Sequence, residues 1–158
     1  RQMCIRDRYD IAQVRALRAF AYFYMVRIWG DVPLVTYSYD NGTFPSMPRT
    51  DAQTVLSYAK AELLTAIEDL PYQYGTQTNL YYGSYGAQWQ GKLFNKLSAY
   101  SVLAHICAWQ GNYAEAETYS AFIIDHASEI NAKYTSIADL TSETGLFYSN
   151  ASVKGSRI

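Results

Sequence analysis

The sequence has only two cysteines, Cys4 and Cys107, and almost no net charge, with 13 Lys plus Arg against 14 Asp plus Glu. Two cysteines outside any C-x-x-C pair exclude a disulfide framework and a thiolate metal site. The basic residues are scattered, not gathered into a stripe, which removes the electrostatic ground for binding nucleic acid or an anionic membrane. Long apolar runs are also missing. The longest, Ala19 to Val26, is bounded by Arg18 and Arg27 and falls far short of the roughly 20 residues that cross a bilayer. Charged residues make up 17% of the 158 and hydrophobic ones 49%, so the chain is too apolar for a disordered tail and can bury a core. Arg1 is not an initiator, and the SVKGSRI end carries no cap or turn, so a piece of a longer chain is expected. No signal peptide is visible at this start.

Rings are in excess: 16 Tyr, 6 Phe and 3 Trp. Their placement follows from a pass along the chain. Residues 1–8, RQMCIRDR, show no period and read as a non-native leader, leaving 9–158 as a partial helical domain. From Tyr9, the residues Val14, Leu17, Ala21, Tyr24 and Ile28 share one helical face, and Phe20 and Phe23 widen it until the helix is apolar nearly all round. That predicts a buried helix over about 9–29. Gly30 suits a left-handed stop, and Pro33 forces Val32 to be extended. A loop over 31–49 holds three of the four prolines. Thr50 and Gln53 form an expected capping box for a second helix over about 51–70, with Val55, Ala59, Leu63, Ala66, Ile67 and Leu70 as its core face. Residues 71–91 break all periodicity and read as a long loop, a feature that tends to be functional inside a compact domain. Two further helices are predicted over about 92–110 and 112–127. The first carries Leu93, Leu97, Tyr100, Ala104 and Cys107 on one face, and the second carries Ala116, Tyr119, Ile123 and Ala127.

The layout is all-α: two helical hairpins with long decorating loops. With Gly111 at its turn, the second hairpin matches the tetratricopeptide pattern at Tyr100, Leu103, Ala104, Tyr113 and Ala116, and departs from it at Cys107, Ser120 and Ser128.

The segment ALRAFAYFYMVRIWGDVPLV, Ala16 to Val35, is very similar to a motif of the SusD/RagB-like family, coinciding at Arg18, Phe20, Tyr24, Arg27, Trp29, Gly30, Asp31, Val32 and Pro33. Pro48 to Pro71, Gly91 to Asp125 and Leu146-Phe147 continue the resemblance in order, over about residues 11–158. It implies a truncated tetratricopeptide-like scaffold from a glycan-binding lipoprotein. Such proteins are held at the external face of the cell outer membrane by an N-terminal lipid, and deliver oligosaccharides to a SusC-like TonB-dependent transporter. No lipobox surrounds Cys4 or Cys107, so the lipid-bearing cysteine is expected upstream. The matching residues, with Gly111, are read as scaffold, because the family's loops vary with the ligand.

Sugar binding without catalysis needs flat rings to stack on sugar faces and polar groups for the hydroxyls. The 71–91 loop supplies Tyr72, Tyr74, Tyr81, Tyr82, Tyr85 and Trp89 among Gln73, Gln77, Asn79 and Gln90, and these rings are the candidate glycan contacts. The competing reading is that they cover helix ends, Trp89 first among them. Tyr37, Tyr39, Asp40, Asn41 and Phe44 make a weaker second surface, since Asp40-Asn41-Gly42 is explained by a turn. Arg15, Arg18 and Arg27 on an apolar helix are expected in architectural ion pairs, with Asp31 as one partner. His105 and Cys107 are two apart on a helix and diverge, and His126 stands alone, so no metal site is expected. Gly83-Ser84-Tyr85-Gly86 has Tyr82 where G-x-S-x-G needs its first glycine. Asp139 and Glu143 lie in a polar segment with nothing to raise either pKa. The sequence therefore reads as neither an enzyme nor a cofactor protein. The alternative, a helical-repeat adaptor for a peptide or protein, calls for evenly spaced hairpins, which the two loops interrupt.

Overall fold

The structure is a computed structural model that describes residues 5–38, 42, 45–75 and 91–132. These residues contain four α-helices, α1 (Ile5–Trp29), α2 (Ala52–Asp69), α3 (Lys96–Trp109) and α4 (Tyr113–Asp125), followed by a 3-10 turn at Ala127–Ile130. Each helix packs on the next in chain order, so one hairpin stacks on another and the all-α architecture holds.

α2 lies between the two layers. Val55, Leu56, Ala59, Leu63, Ala66, Ile67 and Leu70 are buried, which is the expected face with Leu56 added. Leu56, Leu63 and Leu70 are fully enclosed together with Leu103 and Ile106 of α3, and each such side chain contributes about 1.5–3 kcal/mol. The start of α2 corrects the sequence reading. Asp51 is the N-cap, its carboxylate accepting the Thr54 N–H at 3.0 Å. Thr50 does not close the expected capping box, because its backbone N–H, which the Gln53 side chain would have to accept, donates instead to Val32 O at 2.9 Å in an isolated bridge.

α1 corrects it more deeply. Its buried stripe is Ala12, Ala16, Ala19, Tyr22, Phe23 and Val26. Val14, Leu17, Ala21, Tyr24 and Ile28 lie on the opposite side and are exposed, Ile28 at 63%. Both stripes are apolar, so a period of 3.6 fits either one. The alanine stripe is selected because small residues, with Ala59 and Ala66 on α2, let the two axes approach closely. α1 also begins at Ile5, ahead of Tyr9, and Arg8 forms an ion pair with Asp69 of α2.

α3 begins later than its periodicity suggests. Asn95 caps it in a reciprocal box with Ser98, each bond 2.8 Å long, and Leu93 stays in the preceding loop. Its buried positions are Leu97, Ala99, Leu103, Ala104, Ile106 and Cys107. Gly111 turns the chain at φ +80, and the Tyr100 ring lies 4.3 Å from that of Phe122 across the hairpin. Of the tetratricopeptide positions, Tyr100, Leu103, Ala104 and Gly111 pack or turn as the repeat pattern asks, and Ala116 is half-buried, whereas Tyr113 is 73% exposed and fills no space between the helices.

Candidate functional site

Both long loops leave the helical frame through fastened bases. At the 71–91 loop, the buried Gln13 of α1 binds both backbone polar groups of one residue, Phe94. Its Oε1 accepts the Phe94 N–H at 3.0 Å and its Nε2 donates to the Phe94 carbonyl at 2.6 Å. The Tyr74 hydroxyl joins this knot, donating to the same carbonyl and accepting from Gln13. One step away, the Lys96 N–H donates to Pro71 O at 2.9 Å, so the two ends of the loop are tied directly. A lone glutamine on an apolar helix carries no sequence signal, and the sequence reading missed Gln13.

The knot sorts the candidate rings. Tyr74 is 3% exposed and its hydroxyl is bonded inside the frame, so it serves packing and is withdrawn as a sugar contact. Tyr72 is half-buried; its ring lies parallel to His126 at 5.9 Å, with the Lys96 ammonium 5.4 Å from its centroid. Burial, and then the Glu129 carboxylate, push the Tyr72 phenol above its usual pKa. Tyr81, Tyr82, Tyr85 and Trp89 lie outside the described residues, as do Tyr39, Asp40, Asn41 and Phe44. Tyr37 is exposed.

The 31–49 loop is fastened in the same manner. The Tyr22 hydroxyl donates to Val35 O at 3.0 Å and accepts the Val35 N–H at 2.8 Å, while the Val32–Thr50 bridge joins the two ends. Gly30 takes φ +69 to end α1, and the Asp31 carboxylate accepts the Ala52 N–H at 2.9 Å. Asp31 is therefore a cap for α2, not the arginine partner expected of it, because the turn carries it forward to the next helix instead of back along α1. The arginines find other partners. Arg15 at 3.1 Å and Arg18 both pair with Glu62 of α2, which is nearly buried. Arg27 lies 5.4–5.5 Å from the rings of Phe23, Tyr24 and Trp109. The hydrogen bond to Glu62 raises the Arg18 pKa further. The motif residues Arg18, Gly30, Asp31 and Val32 thus build the frame and the base of the first loop. Phe20 packs its ring near Tyr24 and Phe94, whereas Trp29 and Pro33 are exposed.

Among the described residues no three His, Cys, Asp or Glu side chains gather in a metal-binding group, and no helix is long and apolar enough to cross a membrane. His105 and Cys107 diverge as their spacing requires, one exposed and the other buried. What the arrangement supplies is a packed helical frame to which the bases of both loops are hydrogen-bonded.

No protein-family model and no curated protein matches the chain. Among solved structures, a SusD superfamily protein from Bacteroides thetaiotaomicron is 97% identical over 98% of this chain with a TM-score of 0.83, and the chain spans 34% of its length. A SusD-like carbohydrate-binding protein from Bacteroides fragilis shares the fold at 22% identity and a TM-score of 0.70, over 88% of this chain and 25% of its own. A laminarin-binding SusD-like protein matches at 25% identity and a TM-score of 0.57, over 79% of this chain and 23% of its own. Near-identity over almost the whole sequence, on the same stacked helical hairpins, makes this chain a member of the SusD superfamily.

Proposed function

We propose that this chain is scaffold from a non-catalytic glycan-binding protein of the cell surface, which captures oligosaccharide and passes it to a SusC-like TonB-dependent transporter. An N-terminal lipid holds the protein at the outer membrane. The observation that carries the reading is the pair of fastened loop bases. Gln13, Tyr74 and Phe94 hold one ring-rich loop, and Tyr22 and Val35 hold the other, on a frame whose solved relatives include carbohydrate- and laminarin-binding proteins. Rings held on a rigid base stack on sugar faces with little loss of freedom, while nearby amides and hydroxyls meet the sugar hydroxyls.

The candidate contacts are Tyr72, Tyr81, Tyr82, Tyr85 and Trp89. In native affinity gels, the full-length protein is expected to be retarded by at least one polysaccharide from a panel that includes laminarin. Tyr81→Ala with Tyr82→Ala weakens retardation while leaving the helical circular dichroism unchanged. Absence of retardation across the panel rejects the glycan reading, and undiminished retardation in the double variant moves the site off this loop.

A further inference from the structure

The end of α4 and the start of the 71–91 loop meet in a column of rings. Tyr100 of α3 lies 4.3 Å from Phe122 of α4, Phe122 lies 3.9 Å from His126 at an interplanar angle of 19°, and His126 lies 5.9 Å from Tyr72 at 6°. The column starts within the second hairpin and ends on the second residue of the loop. Its pivotal member is His126, which belongs to no group of metal ligands among the described residues. His126 is the C-cap of α4, and one acceptor, the Phe122 carbonyl, takes both its backbone N–H at 3.1 Å and its Nδ1–H at 2.9 Å. Those two bonds fix the backbone and the imidazole plane together, so the ring that meets Tyr72 is oriented by α4 and not by the loop.

Tyr72 depends on that contact more than its neighbour Tyr74 does. Tyr74 is bonded inside the frame through its hydroxyl. Tyr72 is half-buried, and its ring is set by the parallel imidazole and by the Lys96 ammonium 5.4 Å from its centroid. Between the two tyrosines, the Gln73 side-chain amide donates to the Glu129 carbonyl of the 3-10 turn, which ties this stretch of the loop to the same end of α4. A ring held in one plane before a sugar arrives loses little freedom on binding, whereas a swinging ring has to be ordered by the ligand. We infer that His126 is a positioning residue for glycan binding: without touching the sugar, it holds the plane of Tyr72, the candidate contact at the mouth of the loop. The inference rests on the reading of Tyr72 as a sugar contact.

The test uses the full-length protein and compares the parent with His126→Ala, which opens the column, and His126→Phe, which keeps a flat ring in it. With a ring-fluorinated tyrosine installed at position 72, the fluorine resonance of the ligand-free protein is expected to move towards its urea value in His126→Ala and to return in His126→Phe. A resonance that His126→Ala leaves unmoved overturns the proposal, whatever the glycan result. In native affinity gels with laminarin and the wider polysaccharide panel, the dissociation constant is expected to rise about three- to tenfold in His126→Ala, as for one side chain that must be ordered on binding, and to recover in His126→Phe. In a Tyr72→Ala background, His126→Ala is expected to cost nothing further. An equal loss in both His126 variants overturns the positioning role, and so does a further loss in the Tyr72→Ala background or a resonance that moves while binding does not. A parent that no polysaccharide retards rejects the glycan reading and this role with it, and the fluorine resonance tells that failure apart from a column that does not hold Tyr72.

Discussion

At the residue scale, two polar side chains inside an apolar frame do more than their size suggests. Glu62 accepts from two arginines one helical turn apart, fixing the rotation of α1 on α2. Glu62→Gln removes the negative charge and leaves both guanidinium groups without a counter-ion. Each arginine side chain is 35% exposed and rehydrates in part, so the expected loss is about 2 kcal/mol in urea denaturation, below that for a fully buried pair. Gln13→Leu removes the acceptor of the Phe94 N–H and one of the two donors to the Phe94 carbonyl, while the Tyr74 hydroxyl keeps its bond to that carbonyl. A loss of about 2 kcal/mol is expected, together with faster hydrogen exchange at the Phe94 amide than in the parent protein. Unchanged exchange there would show that the loop base holds without Gln13.

At the element scale, helix ends and helix contacts set the predictions. Gly30 adopts φ +69 with open space where a Cβ would stand, so Gly30→Ala costs conformational energy alone. About 1–2 kcal/mol is expected in thermal denaturation. The Lys60 ammonium of α2 reaches Glu115 of α4 at 2.5 Å, the hydrogen bond raising the pKa of the lysine and lowering that of the carboxylate. A lowered folded-state carboxylate pKa stabilises above the unfolded value of about 4.3, and the gain is lost as pH falls through the folded value; a raised lysine stabilises below about 10.4 and loses its gain as pH rises past that. A double-mutant cycle of Lys60→Met and Glu115→Gln therefore shows coupling at neutral pH that vanishes in acid; coupling that persists in acid would assign it to packing. The elements differ in how far the sequence discloses them. α2 was legible because its apolar residues occupy one side. α1 was not, because two apolar stripes satisfy the same period, and only the alanines of its neighbour decide between them. The cap of α2 was displaced by one residue because Thr50 is committed to a bridge with Val32, a tertiary contact that no local pattern announces. The loops were recognisable as ring-rich, yet only the Gln13 knot separates inward Tyr74 from half-buried Tyr72.

At the scale of the whole molecule, the frame and the loops are separable. Each loop begins and ends at points already joined, by Pro71 with Lys96 in one case and Val32 with Thr50 in the other. The entropy of closing a chain between fixed ends rises only logarithmically, by about 0.6 kcal/mol for a doubling of length. Replacing residues 76–90 by a segment twice as long is thus expected to move the thermal midpoint by only a few degrees, measurable by calorimetry; a fall of tens of degrees would mean that the loop body itself supports the helices. Gln13 and Tyr22 then act as standard sockets. A segment of another length or sequence plugged between them leaves the packing of the helices beneath it untouched.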